Sequence, residues 1–179
     1  MRQRLMWLVL FCGVIGASAL FYAGKVSATP ASGFVGTTLA KGTLSSFEVF
    51  NHATLPNSGG HDDDDNVWWS MQKTKGSSDL YVQSNVWQPG GSTGWHSHPG
   101  HSLIIVTEGT LTDYESDDPT CTPHVYTQGM SFVDAGGSHT HIIRNETTSE
   151  AANIAVQLIP AGATRRIDAP APPNCPGIQ

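Results

Sequence analysis

Short stretches in which apolar and polar residues alternate recur along most of the chain. Alternation with a period of two is typical of strands that are buried on one face, and clusters of Gly, Pro, Asn and Asp separate these stretches as turns would. After the N-terminal segment, no stretch has the length and period of a substantial helix. We therefore predict an all-β barrel or sandwich with strands at Ser46–Phe50, Leu80–Trp87, Ser102–Glu108, Thr110–Glu115, His124–Thr127, Ser131–Val133, His141–Arg144 and Asn153–Ile159.

The chain of 179 residues is long enough for one domain and too short for two comfortable ones. Residues 29–43 are rich in Gly, Ala and Thr, which predicts a flexible leader before a barrel at 44–167. The tail at 168–179 is rich in Pro and is predicted to be extended. Glu108-Gly109, between two predicted strands, indicates a tight hairpin turn.

The N-terminus has the pattern of an export signal. Arg2 and Arg4 precede an apolar run that starts at Leu5, and the small residues at 26–28 offer a cleavage site. We predict a cleaved signal peptide at 1–28 and a secreted or periplasmic protein. The alternative is an uncleaved membrane anchor, because the apolar run approaches the ~20 residues that span a bilayer.

Charge argues against nucleic acid as a partner. The net charge is −6, and removal of residues 1–28 deletes Arg2, Arg4 and Lys25 but no acidic residue, which leaves −9. Phosphate binding requires clustered Lys and Arg, and the sequence contains no basic patch. We expect a small-molecule ligand instead.

Export would leave two cysteines, Cys121 and Cys175. In an oxidising compartment an even pair indicates one disulfide, which here would join the C-terminal tail to a loop in the middle of the chain. The alternatives are a reactive thiol and a zinc pair, but the two residues lack a C-x-x-C type of spacing.

Candidate metal ligands come in two His-x-His pairs, His96/His98 and His139/His141. Residues two apart on a strand point to the same side, so each pair can direct both imidazoles to one ion, and Ser102 has the same parity as the first pair. Solvent-exposed loop histidines are the alternative for either pair alone. Because both pairs follow Gly-rich turns in a chain of short strands, we predict that a facing strand supplies a third imidazole to the first pair.

The two segments resemble the paired motifs of the cupin superfamily. The first motif, G-x5-H-x-H-x3-4-E-x6-G, is matched by Gly90, His96, His98 and Gly109. The second, G-x5-P-x-G-x2-H-x3-N, is matched if one extra residue is allowed before its histidine, by the residues Gly129, Gly137, His141 and Asn145. The resemblance covers about Leu80 to Pro160, most of the chain that follows the predicted signal.

The resemblance implies a double-stranded β-helix (jelly-roll) barrel with a metal in its mouth. By carry-over the ligands would be His96, His98 and His141, with His139 as the fallback for the third. The glutamate ligand of the family corresponds to Ser102, a poor substitute for a carboxylate, and the family's proline in the second motif corresponds to Ala135. Cupin barrels often pair through a sheet edge, which leaves a homodimer open.

Other residues near the motifs are candidates for the shell or the pocket. His101 has the wrong strand parity to replace the missing glutamate, and Glu108 beside the turn glycine is expected at the rim. A shell of three histidines and water is therefore our prediction. We assign second-shell or pocket positions to Ser102, Trp95, Tyr81, Gln83 and Asn145.

Three neutral imidazoles would leave the full charge of a divalent ion and open positions for a ligand. Imidazole suits iron, manganese, nickel, copper and zinc, so the sequence does not name the metal. Cupins with three histidines include dioxygenases, which implies a metal-dependent oxygenase or lyase for a small anionic or diketone-like molecule. The alternatives are a non-catalytic metal- or ligand-binding module and a structural role with an empty barrel.

Overall fold

A computed structural model describes residues 27–54 and 67–179. Twelve strands form within these residues, and no helix among them is long and apolar enough to cross a membrane. Most of the predicted signal peptide lies outside the described residues. The strands are β1 (Ser32–Leu44), β2 (Glu48–Thr54), β3 (Val67–Lys73), β4 (Ser78–Ser92), β5 (His96–Ser97), β6 (Ser102–Glu108), β7 (Thr110–Glu115), β8 (His124–Thr127), β9 (Ser131–Asp134), β10 (His141–Arg144), β11 (Ala151–Pro160) and β12 (Ile167–Asp168).

Ten of the strands form one antiparallel sheet that folds into two layers. One layer has the order β1-β4-β11-β6-β9, and the other has the order β12-β5-β10-β7-β8. The layers are joined where β10 meets the end of β4, at Arg144 opposite Ser92. The predicted all-β jelly-roll barrel is therefore confirmed.

The core of the barrel consists of two groups of buried side chains. The larger group packs between the two layers, and its members are Trp87, Ile104, Val106, Leu111, Phe132, Ile143, Ala151 and Ala155. The second group packs under the C-terminal tail and contains Trp95, Tyr114, Ile142 and Cys175. Alternate residues of β6 are buried and exposed in turn, as expected for a strand with one face inward.

The predicted flexible leader at 29–43 is wrong, because most of it forms β1. This strand pairs with β4 from Ser32 opposite Ser92 to Leu44 opposite Ser78. Nearly all of its side chains are exposed. Its stability therefore depends on backbone hydrogen bonds to β4, which leave little trace in a hydrophobic pattern, and the barrel begins before residue 44.

The predicted hairpin at Glu108-Gly109 is also wrong. β6 pairs with β9 and β11, whereas β7 pairs with β8 and β10, so the two strands lie in different layers. Gly109 has a φ of 67°, and a side chain there would stand 2.6 Å from the carbonyl oxygen of Glu150. The glycine therefore forms a tight corner at which the chain changes layer.

β2 and β3 form a separate two-stranded sheet. The predicted strand at Ser46–Phe50 overlaps β2, while β3 was not predicted. β5 and β12, of two residues each, were not predicted either, and they pair with each other. The strands predicted at 102–108, 110–115, 124–127 and 141–144 have the same bounds in the structure.

The C-terminal tail packs against the barrel. Cys121 and Cys175 form a disulfide with their Cα atoms 5.3 Å apart, which confirms the predicted pairing. The indole Nε1 of Trp95 donates to the carbonyl oxygen of Ile178, 2.8 Å away. Structural disulfides are typical of oxidising, extracytoplasmic environments.

Candidate metal centre

The imidazoles of His96, His98 and His141 converge inside the barrel. β5 carries His96 and leads directly into His98, while His141 opens β10 opposite His96 in the ladder. Ring centroids are 4.8 Å apart for His96 and His98, 4.7 Å for His96 and His141, and 6.1 Å for His98 and His141. All three side chains are buried, and one nitrogen from each lies within 4.8 Å of the others.

The outer nitrogen of each ring contacts an acceptor. His96 Nδ1 lies 2.9 Å from the carbonyl oxygen of Gly94, and His98 Nδ1 lies 2.6 Å from that of Arg165. His141 Nδ1 lies 3.2 Å from Oδ1 of Asp113. Because a carbonyl oxygen only accepts, Nδ1 of His96 and of His98 must carry the proton, which leaves the Nε2 lone pair available.

The electrostatics of the pocket separate the three histidines. Burial lowers the pKa of His96 well below its ordinary value and lowers the pKa of His98 to about 4. Burial also acts to lower the pKa of His141, but the neighbouring carboxylates, first Asp113 and then Asp134, outweigh it and raise that pKa. At neutral pH His96 and His98 are therefore neutral, which is the state that binds a metal.

A buried aspartate that the sequence analysis missed lies beside two of the three histidines. Asp134 ends β9 with 2 % of its surface exposed. Its Oδ2 lies 3.8 Å from Nε2 of His98 and 3.9 Å from Nε2 of His141. The sequence could predict that Asp134 points inward, because it has the same strand parity as the apolar Phe132. The sequence could not predict that Asp134 pairs with Ser102 on β6.

The turn after Asp134 is held by close backbone contact. Gly136 N donates to Oδ1 of Asp134 at 2.9 Å, and Gly137 N donates to the carbonyl oxygen of His98 at 2.7 Å. Both glycines have positive φ, but a Cβ on Gly136 would lie 2.2 Å from the backbone oxygen of Gly100, while one on Gly137 would meet nothing within 4 Å.

We expect Gly136→Ala to lower the free energy of unfolding by about 3 kcal/mol, because a collision adds to the cost of left-handed backbone. In Gly137→Ala, the matched control, the free energy of unfolding should fall by only about 1 kcal/mol, because the alanine meets no neighbour and only the left-handed backbone is unfavourable. Urea unfolding of the two variants measures the difference. Equal losses would contradict the close approach of Gly136 to Gly100.

The histidines open into a cavity of about 60 Å³. This space holds a few water-sized groups, so only a small ligand fits beside an ion. Most lining side chains are polar or basic, and among them are Thr93, Asn85, Asn153, Gln157, Arg165 and Arg166. Within the described part of the chain, Asn153 Nδ2 and Gln157 Oε1 have no hydrogen-bond partner although they are buried. Two residues that line the cavity therefore each have one polar atom that is unpaired within the protein.

Two of the predicted pocket residues line this cavity. Ser102 is buried and hydrogen-bonds to Asp134, and the Nε2 of Gln83 donates to Oγ1 of Thr38 at 2.8 Å. Ser102 lies on β6, whose alternate residues face inward, as its parity predicted.

The other three predicted pocket residues do not line it. Trp95 is buried in the core group under the tail, away from the pocket mouth. Tyr81 lies under the ammonium group of Lys41, which is 5.1 Å from its ring centre. Asn145 is fully buried, and its Nδ2 donates to the backbone oxygens of three residues, Trp87, Gln88 and Ser149. Its side chain stabilises a turn.

The alternative ligands are not grouped with the three converging imidazoles, although the ring centroid of His139 lies 6.3 Å from that of His141. His139 belongs to a separate, more exposed cluster, with Nδ1 3.2 Å from Asp117 and Nε2 3.7 Å from Glu115. Nε2 of His101 is 3.4 Å from the amide of Gln72 on β3, and Glu108 is exposed. The structure groups His141 with the first pair of histidines.

The cupin domain model matches residues 85–156, which contain both histidine motifs. A search of curated proteins found no match.

Among solved structures, Peruvianin-I, a cysteine peptidase from Thevetia peruviana latex, is 28% identical over 44% of this chain and 49% of its own, with a TM-score of 0.38. An oxalate oxidase is 22% identical over 46% of each chain, with a TM-score of 0.39. This chain thus covers about half the length of these two structures. A conserved protein from Klebsiella pneumoniae with a double-stranded β-helix domain is 17% identical over 51% of this chain and 76% of its own, with a TM-score of 0.43. The part of the chain at residues 85–156, which lies within the barrel described above, is therefore similar to a cupin domain.

Proposed function

We propose that this protein is an exported cupin that binds one divalent transition metal through His96, His98 and His141 and acts on a small anionic molecule. The observation that carries the proposal is the shared orientation of the three rings. Each ring has its Nδ1 against a carbonyl or carboxylate oxygen and can offer Nε2 to the same point, and Nε2 of His141 has no hydrogen-bond partner in the described protein. The outer hydrogen bonds of His96 and His98 are of the kind that usually accompanies a metal-bound histidine.

A bound ion would polarise a substrate oxygen and, with iron, manganese or copper, would support oxidation. The protein's own residues have separate tasks. The backbone oxygens of Gly94 and Arg165 fix the orientation of two imidazoles, and Asp113 orients the third. The buried apolar residues Ile104 and Ile143, which also line the cavity, limit the entry of water.

Two arginines favour an anionic substrate. Arg166 is fixed by its bonds to Asp168 and to the carbonyl oxygen of Thr93. Arg165 makes no side-chain ion pair within the described residues, and it lines the same cavity. An arginine without a partner beside a metal site is suited to bind a carboxylate through charge-assisted hydrogen bonds. The cavity volume restricts that carboxylate to a molecule of a few carbon atoms.

A non-catalytic metal- or ligand-binding module is the second candidate. Ser102 stands where the family has its glutamate ligand, and the loss of a ligand is one way in which a catalytic site loses its activity. In this case the protein would bind metal and a small acid without turnover.

Metal analysis of the purified protein tests the proposal first. About one transition ion per chain supports it, and a chain that neither carries nor takes up iron, manganese, nickel, copper or zinc contradicts it. The metal-loaded protein is then incubated with two- to four-carbon acids and with diketones, while oxygen consumption and products are followed. Turnover supports the enzyme, and binding without turnover supports the module.

We expect Arg165→Gln to weaken the binding of a small carboxylate, such as glycolate or oxalate, by about 10- to 100-fold. The reason is the loss of one charge-assisted hydrogen bond in a partly buried site, worth roughly 1.5–3 kcal/mol. Titration calorimetry on the metal-loaded protein measures the affinity. Arg144→Gln is the matched control, because Arg144 pairs with Glu146 outside the cavity. Equal affinities for both variants would argue against an anion contact at Arg165.

A further inference from the structure

We propose that Asp134 supplies the carboxylate ligand that the first cupin motif lacks at Ser102. The inference rests on the proposed metal site and changes its composition from three histidines to three histidines and one aspartate. The carboxylate would come from β9, the neighbour of the strand that carries Ser102.

The strand register places Asp134 directly beside position 102, where the family has its glutamate. Ser102 on β6 is paired with Asp134 on β9, and both side chains are buried in the barrel. Directly opposed residues on antiparallel strands have their Cβ atoms about 5 Å apart, so a carboxylate can be moved to the neighbouring strand and still reach the same site.

Hydrogen bonds orient the Asp134 carboxylate toward the histidines. Oδ1 accepts from the backbone N of Gly136 at 2.9 Å, which leaves Oδ2 as the oxygen nearest to His98 and His141. Oδ2 accepts from Oγ of Ser102 at 3.1 Å, and that hydroxyl accepts from Nε2 of Gln157 at 3.0 Å. Ser102 therefore has a positioning role, because its hydroxyl orients the carboxylate that replaces the family's glutamate.

The buried charge of Asp134 also favours a bound cation. Asp134 is buried and forms no ion pair with Lys or Arg within the described parts of the chain; the side-chain nitrogens of His98 and His141 are its nearest basic groups. A buried carboxylate without a cation is costly. His96 and His98 are neutral and bring no charge, whereas a divalent cation held among the imidazoles would compensate the aspartate. The cluster is therefore complementary to a cation in charge as well as in donor atoms.

The substitution of Asp134 tests the inference. Asp134→Asn keeps the shape and removes the charge, so we expect the affinity for Zn²⁺ or Mn²⁺, measured by titration calorimetry, to fall by at least about tenfold. The same variant should also gain less in melting temperature from added metal than the wild type does. Asp117→Asn, in the exposed cluster with His139, is the matched control and should leave the affinity unchanged.

A relocation variant provides the rescue. Ser102→Glu combined with Asp134→Ser returns a carboxylate to the family position, and we expect it to recover most of the affinity that Asp134→Ser alone loses. Unchanged affinity in Asp134→Asn would overturn the inference while leaving a three-histidine site intact. A wild-type protein that binds no metal would overturn the proposed function itself, so the two failures are distinguishable.

Discussion

Replacing His96 and His98 together with alanine is expected to reduce bound metal from about one ion per chain to a trace, with a loss of affinity greater than about a hundredfold. We expect at least this loss because removing only the hydrogen-bond partner of a metal-bound histidine already lowers metal affinity by about 10- to 100-fold. His141→Ala should have a comparable effect, since its ring lies opposite His96 on the paired strand. Metal analysis after dialysis, followed by titration calorimetry, provides the measurement.

His139→Ala is the control that shows which histidine of the second His-x-His pair, His139 or His141, binds the metal. His139 contacts Glu115 and Asp117 near the surface, while His141 is buried with the first pair. We expect His139→Ala to retain the metal. If His139→Ala lost it and His141→Ala kept it, the ion would be held by the exposed cluster and the barrel interior would not be the metal site.

The parity of residues along a strand accounts for the part of the site that the sequence could predict. His96 and His98 are two apart, so one local rule places both rings on one face, and the same rule turns Ser102 inward. The strands β6, β7, β8 and β10 could be predicted with correct bounds because each is bounded by turn residues or has a clear alternation. Local patterns are sufficient for these features.

Features that depend on strand pairing could not be predicted in this way. Asp134 reaches the histidines because β9 pairs with β6 in one particular register, and no local pattern encodes that register. β1 is stabilised by β4 and exposes most of its side chains, so its composition resembled a flexible leader. Trp95 follows Gly94 and precedes His96, yet its ring belongs to the core under the tail, whose position depends on a distant disulfide.

Replacing both Cys121 and Cys175 with serine is expected to lower the free energy of unfolding by about 4 kcal/mol. The two residues are 54 positions apart, and loop-closure entropy for that length corresponds to about 4 kcal/mol. The loop around Cys121 is already organised, since the carboxylate of Asp118 accepts from the backbone N of Thr120 and of Thr122. The bond therefore joins a preformed loop to the tail.

The same substitution should also weaken the metal centre, although by less. The tail covers Trp95 and Ile142, and just before it β12 pairs with β5 at Asp168 opposite His96. The carbonyl oxygen of Arg165, which orients His98, lies on the same stretch of chain. Loosening the tail removes constraints on two of the three imidazoles, so we expect a few-fold loss of metal affinity.

Urea unfolding of the metal-free proteins, with and without a reducing agent, measures the effect of the disulfide on stability. Reduction should lower the stability of the wild type to that of the double variant and should leave the double variant unchanged. A difference of less than about 1 kcal/mol between oxidised wild type and double variant would mean that the packing of the tail around Cys175, including the bond from Trp95 to Ile178, holds it without the covalent link. In that case the metal affinity of the two proteins should also be equal, because the tail would constrain His96 and His98 equally in both.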